Sequence, residues 1–311
     1  MAQEPARGDS FRVQTKGGAM AQFLQQLING ISIGSIYALM AVGYSLVYSI
    51  MNFSNFAHGS VIMLGAYFGF FAMKFLGAAF PVAFLLAALG SALVAVILER
   101  LAYKPLRDRN APFLYFIITA MGASIFIDNF VIATIGPTPK MYPQIFEQAP
   151  IILGELAIGR IDLAMFVISA VCLVALIIFI DHTKMGKAIQ ATAYNMKASA
   201  LMGINTNFVI VLVFAIGGGL AGIAGVLYGM KYQVYPQIGN ITMKSFIAAV
   251  FGGLGSLPGA LIGALLLGLI ETMVSGYLST QYRDLIAFII LIAMLVVRPT
   301  GIMGKNAEEK A

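Results

Sequence analysis

Residues 161–230 read IDLAMFVISAVCLVALIIFI (161–180), DHTKMGKAIQATAYNMKASALMGINT (181–206) and NFVIVLVFAIGGGLAGIAGVLYGM (207–230). Two long apolar runs flank a polar, basic stretch. Each run is long enough to cross about 30 Å of hydrocarbon as a helix, and neither shows the period-two alternation of a barrel strand. The stretch between them carries Lys184, Lys187 and Lys197. Its small and apolar residues recur at helical spacing: Met185, Ala188 and Ile189, then Ala193, Met196, Ala200 and Leu201. That spacing predicts a short amphipathic helix with a turn around Gly203. Two readings stay open for it. One is a helix lying on the lipid surface; the other is a knob that docks into a soluble partner.

The rest of the chain repeats the pattern. It has 311 residues, 60% hydrophobic and 10% charged, with a mean hydropathy of +0.90. Soluble domains carry roughly a quarter charged residues. The expected fold class is therefore an all-α integral membrane protein, a polytopic helical bundle. Apolar segments fall at 22–51, 59–76, 79–98, 113–135, 161–180, 207–230, 245–255, 257–277 and 285–297. This gives about eight or nine membrane segments. The pieces at 245–255 and 285–297 are too short for ordinary spans, so broken or re-entrant pieces are expected. The single cysteine, Cys172, lies in an apolar run and excludes internal disulfides. Trp is absent, leaving Tyr and Phe for any interfacial belt.

Charge sets the orientation. The net charge of +6 gathers in loops, which in a membrane protein orients the chain and implies no nucleic acid. The loop Glu99–Ala111 holds Arg100, Lys104, Arg107 and Arg109; with the 181–206 loop it marks the cytoplasmic side. Two spans separate these loops, so both lie on one side. The proline-rich loop 136–160, with only Lys140 and Arg160 as cations, then lies outside. Counting back puts the N-terminus outside, although Arg7, Arg12 and Lys16 pull the other way. Counting forward returns the C-terminus to the cytoplasm, in keeping with Arg298, Lys305 and Lys310. The domain reading is a polar tail over 1–19, with Met20 a candidate start; a transmembrane domain over 20–300; and a cytoplasmic tail over 301–311.

Two interruptions break the apolar pattern: Asn52-Phe53-Ser54-Asn55-Phe56-Ala57-His58-Gly59 and Gly252-Gly253-Leu254-Gly255-Ser256-Leu257-Pro258-Gly259. Irregular backbone at membrane depth survives only when buried in protein or lining a cavity, and paired interruptions point to a translocation path. A turn at the membrane surface is the plainer alternative for each. Asp128, followed by Asn129, and Glu271 are acids inside apolar runs, which makes them functional candidates. A buried polar contact explains Asp128 equally well, and for Glu271, near the end of its run, a bond to a neighbouring helix is the stronger reading. The path candidates are Asn52, Asn55, His58, Asp128, Asn129, Gly253 and Gly255. Small residues form ladders at Gly30, Gly34 and Ala38, at Gly217, Ala221, Gly225 and Gly229, and at Gly252, Ser256, Ala260, Ala264 and Gly268. Such ladders let helix backbones approach, within the chain or with a second subunit.

Several chemistries are missing. Two His and one Cys make no metal set. No G-x-x-x-x-G-K-[ST] is present to cradle nucleotide phosphates. A serine protease of the membrane needs a Ser–His pair, and only His58 is spare. No enzyme activity and no cofactor are expected. Uphill movement of a solute would need an ion gradient or an energised partner.

The blocks then resemble a known family. Asn55-Phe56-Ala57-His58-Gly59 with Met63-Leu64-Gly65-Ala66-Tyr67 is similar to the NFAHG…MxGAY blocks of LivH-type permeases of branched-chain amino acid ABC transporters. So are Asn29 to Leu39, Glu99 to Arg107, Gly186 to Gly203, Leu220 to Tyr228, and Lys244 to Ala260. The resemblance runs from about Met20 over nearly the whole chain. It implies a bacterial inner-membrane importer. Its partners would be a second homologous permease, two cytoplasmic ABC ATPases and an external solute-binding protein, with membrane lipid around it and a small amino acid as cargo. It also implies that 181–206 is the ATPase-coupling loop, with Gly186, Lys187, Lys197, Ala198, Ser199 and Gly203 as contact candidates. The E-A-A-x-x-x-G pattern of ABC importers is here Lys197-Ala198-Ser199-Ala200-Leu201-Met202-Gly203, with lysine for glutamate. Urea, short-chain amides and other amino acids remain alternative cargoes. An ion-coupled secondary transporter using Asp128 or Glu271 is the alternative of another class.

Overall fold

The bundle is built around one helix, α1 (Ala19–Met51), whose most apolar window is 94% buried. At about 1.5 Å per residue it is longer than the hydrocarbon is thick. The structure is a computed structural model that describes residues 18–143 and 149–304. The expectations that rest on Arg7, Arg12, Lys16, Lys305 and Lys310 lie outside those residues. After α1 come α2 (His58–Leu76) and α3 (Phe80–Leu98), which continues through a π-helical turn, Glu99–Tyr103, into α4 (Lys104–Asp108). Then follow α5 (Phe113–Ile135), the hairpin β1 (Ile151–Leu153) and β2 (Leu156–Ile158), α6 (Arg160–His182), α7 (Lys184–Tyr194), α8 (Met196–Leu201) and α9 (Thr206–Lys231). A 3-10 segment, Pro236–Ile241, leads into α10 (Thr242–Gly252), α11 (Leu257–Tyr277) and α12 (Tyr282–Val297).

Among the described residues, seven helices are long and apolar enough to cross a membrane. Helices α10 and α12, of 11 and 16 residues, are shorter. The return from the end of α9 is a broken passage: an extended piece, the 3-10 segment, then α10. Contacts fix the two ends of the bundle. At one end the Gln25 side chain bonds both backbone groups of Ala157 in the hairpin, and Lys140 and Val234 exchange backbone hydrogen bonds. At the other end Arg107 bonds Asn207 at 2.9 Å, and the N–H groups of Ile302 and Met303 bond the carbonyls that close α10. The second end holds the Glu99–Ala111 and 181–206 cations and is the end that the positive-inside rule expects in the cytoplasm. The start of α1 lies at the opposite end, the external one on that expectation.

The small-residue ladders pack within this chain. Gly30 and Gly34 meet α11, where a Cβ on Gly34 would stand 3.0 Å from the Leu265 Cα. Gly217 faces Gly43 of α1, Gly225 faces the Ile62 carbonyl of α2, and Gly218 and Gly222 face Ser91 of α3. Gly252 and Gly263 close the α10–α11 hairpin, and Gly268 meets Gly34. Without a hydrophobic drive between helices in lipid, this close backbone approach is what holds them together.

Three local expectations change. Glu99–Asp108 is helical, not a loop: Glu99 is fully buried and paired with Arg107 at 2.8 Å, which folds the basic segment back along the helix. The 181–206 stretch forms two helices, because the Asn195 side chain accepts from the Ala198 N–H at 2.9 Å and starts α8 anew. The external loop carries a β-hairpin, turning at Gly154 with φ +64°.

Candidate functional site

The cytoplasmic face of the bundle is a layer formed by α7, α8 and the turn between α10 and α11. Thr183 caps α7 by accepting the Gly186 N–H at 2.9 Å, while its hydroxyl donates to the Phe179 carbonyl at 2.6 Å. Gly186 lies hard against the Phe179 and Ile180 backbone. Any side chain there would push α7 off the end of α6, so the sharp α6–α7 junction requires glycine. Ile189 and Thr192 face inward, and Lys187 faces out. In α8, Ser199 is buried and bonds the Asn195 carbonyl at 2.9 Å. Lys197 and Ala198 are exposed. The loop then turns at Gly203, whose φ of +85° suits glycine.

At the tip of this loop Leu201, read from its spacing as part of the apolar face, is not covered, and neither is Met202 beside it. Leu201 is 88% exposed and Met202 84%. These apolar side chains stand bare next to Lys197 on the basic end, and no element of the described chain covers them. The mark that would have shown them bare is their place in the E-A-A-x-x-x-G register, immediately before the glycine.

Beneath α7 lies a cavity of about 410 Å³, lined by Leu46 and Ser49 of α1, Leu176 and Ile180 of α6, Ile189 of α7, and Gly255. It lies between α7 and the second sequence interruption. Gly255 has φ +83° and donates its N–H to the Ser45 hydroxyl at 3.0 Å. Gly253, with φ +113°, packs against Thr300, Gly301 and Gly304 of the C-terminal segment.

The seven path candidates are not brought into one cavity. Of them, Gly255 alone lines the space under α7. Asn52 ends α1 in the left-handed region (φ +52°) and is exposed. Asn55 is buried and committed: it accepts from the Tyr103 hydroxyl at 2.7 Å and from the Ala57 N–H at 3.2 Å. His58 is buried edge-on to Tyr44, with ring centroids 5.9 Å apart, and its Nε2 has no hydrogen-bond partner among the described residues. Asp128 accepts from the Ser60 hydroxyl at 2.7 Å, which joins α5 to the start of α2. Asn129 bonds its own helix at the Ile125 carbonyl and points away from that contact. From Phe53 to Gly59 the first interruption runs largely buried in the bundle, with Asn52 exposed at its start and Asn55 as its side-chain tie.

Glu271 is also tied. It is 2% exposed, accepts from the Tyr37 hydroxyl at 3.0 Å and pairs with Lys244 at 3.0 Å; Lys244 also reaches Asp284 at 3.0 Å. In the external loop, Tyr142 donates to the Ala66 carbonyl at 2.6 Å, and burial pushes its phenol pKa up. It stays a neutral donor at all ordinary pH. Among the described residues no His, Cys, Asp and Glu cluster suits a metal ion.

The sequence profile described as "Branched-chain amino acid transport system / permease component" matches residues 26–295. The chain is 42% identical to the high-affinity branched-chain amino acid transport system permease protein LivH of Escherichia coli (strain K12), covering 93% of this chain and 97% of that one. It is 40% identical to BraD, the protein of the same description from Pseudomonas aeruginosa, over 93% and 98%. It is 30% identical to a probable LivH of Methanocaldococcus jannaschii, over 89% and 91%. These relatives are transport permeases, not enzymes. By profile and by full-length identity, the chain belongs to the branched-chain amino acid transport system permease family.

Proposed function

We propose that this permease imports branched-chain amino acids as one of two related membrane subunits in the bacterial inner membrane, driven by two cytoplasmic ABC ATPases and fed by an external solute-binding protein. The cargo follows from the relatives at 42% and 40% identity, which are described as branched-chain amino acid permeases. The observation that carries the coupling is the bare apolar tip, Leu201 and Met202, beside Lys197 and Ala198 on the basic end. A lipid-surface helix would turn its apolar face back to the membrane; this loop holds its apolar tip free, as a docking knob would.

In this mechanism ATP binding draws the two ATPases together and moves α7 and α8 as a unit about the Gly186 junction. The space beneath α7 gives that helix room to shift toward Gly255. The glycine-laddered helices α1, α9 and α11 then tilt and switch the path between outward- and inward-facing. A ligand drives such a switch only through contacts that differ between the two states. Lys197 in place of the glutamate of the E-A-A-x-x-x-G pattern asks for an acidic groove on the ATPase.

The alternative of an ion-coupled transporter fits less well, since Glu271 is neutralised by Lys244 and Asp128 is held by Ser60. The test is purification of the chain from its native membrane, with its companions identified and ATPase activity assayed with and without loaded binding protein. Two ATPases and a second permease, stimulated by leucine-loaded binding protein, are the expected result. A chain that purifies alone and takes up leucine on a proton gradient would overturn it.

A further inference from the structure

A second cavity, of about 390 Å³, lies at the external end of the bundle. It brings together Asn29 of α1, Asp162 in the first turn of α6, Lys231 in the last turn of α9, and Arg283 near the start of α12. Asp162 and Lys231 form an ion pair, and Asp162 Oδ1 also accepts the Ser32 hydroxyl at 3.0 Å. Each charge complements the dipole of its own helix end, so the pair is fixed in place. Arg283 differs. Its Nε is buried and has no hydrogen-bond partner among the described residues. A buried guanidinium nitrogen without an acceptor is unusual in a finished site, and it marks where an acceptor from outside the chain fits.

Lys231 and Asp162 answer each other, which leaves the Arg283 guanidinium as the charge that a ligand carboxylate would meet. A doubly charged anion would be repelled by Asp162, whereas a zwitterion finds partners for both its ends. We propose that this cavity is an entry subsite for the free amino acid, in which Arg283 takes the α-carboxylate and Asp162 the α-ammonium. The subsite grips the groups common to all amino acids and leaves the side chain unread. Selection for branched aliphatic side chains then falls to the binding protein that delivers the cargo. The proposal rests on the importer function above.

The test uses the purified complex with its co-purifying subunits in lipid nanodiscs, without binding protein. Saturation-transfer NMR reads direct contact between the complex and leucine. R283Q is expected to lower the leucine signal at least fivefold, and R283K to retain most of it, with the two variants melting at the wild-type temperature. On the wild-type complex, isoamylamine, which is leucine without its carboxylate, is expected to compete at least tenfold more weakly than leucine. This holds the test even if R283Q folds poorly. An unchanged leucine signal in a well-folded R283Q, or equal competition by isoamylamine, would overturn the subsite. So would R283Q that loses affinity for the binding protein while its leucine signal stands, since the cavity would then be a docking socket. Leucine uptake by wild-type proteoliposomes supplied with binding protein separates the two levels: uptake with an unaffected R283Q removes the subsite alone, and no uptake removes the importer reading as well.

Discussion

At the residue scale, the polar groups of the bundle divide into ties and free ends. Glu271, Lys244 and Tyr37 join α11, α10 and α1, and Lys244 reaches on to Asp284. Removing one partner from a buried pair strands the other charge, which costs about 3–5 kcal/mol. Lys244→Met should therefore destabilise the protein by roughly that amount, and Lys244→Met with Glu271→Gln should recover most of it. Unfolding in mixed micelles across the double-mutant cycle measures this; strict additivity would show that the pair is uncoupled. The sequence made Glu271 and Asp128 visible as acids among apolar neighbours, but not their partners. Lys244 is 27 positions from Glu271 and Ser60 is 68 from Asp128, and no local pattern reports on contacts at such separations. Asp162, Lys231 and Arg283 passed unremarked for the same reason: each looks like an ordinary charge at a helix end.

At the element scale, the glycine ladders and the α7–α8 layer make opposite demands. Where helices touch, a side chain is an obstacle. Gly225→Leu drives α9 away from the Ile62 carbonyl of α2, and overpacking of this kind costs about 1–3 kcal/mol. Gly122 of α5 has open space where a Cβ would go. Gly122→Ala should be neutral or stabilising, by up to about 1 kcal/mol from helix propensity. Melting of the two variants in one detergent gives the comparison, and equal effects would mean that helix contact is not what the glycines serve. The α8 tip should behave as a docking surface. Leu201→Asp with Met202→Asp leaves melting unchanged, because both residues are exposed. Loss of this apolar contact should weaken ATPase association by about tenfold or more, on the scale of an interface hot spot. Co-purification of the ATPase against that of wild type measures it, and retained ATPase would show the knob is not the dock.

At the scale of the whole molecule, the chain is an asymmetric bundle around α1, with a hairpin at one end and the α7–α8 layer at the other. In a Cys172→Ser background, Gly154→Cys should react with an impermeant thiol reagent from outside intact cells, and Gly203→Cys only after the cytoplasmic face is opened. Labelling of both from one side would invert the topology. The sequence by itself determined the membrane class, a bundle of about eight or nine apolar segments, the basic loops, the two interruptions and the family, because hydropathy, charge and short motifs are local properties of the chain. It also showed that 245–255 and 285–297 are too short to span alone. Only the tertiary structure decided which face each glycine ladder meets, that Glu99–Asp108 is helical, that the first interruption is largely buried, and that two cavities lie at opposite ends. Those depend on contacts between residues far apart in sequence: backbone held against backbone, and charges placed by helices that meet only once the bundle has closed.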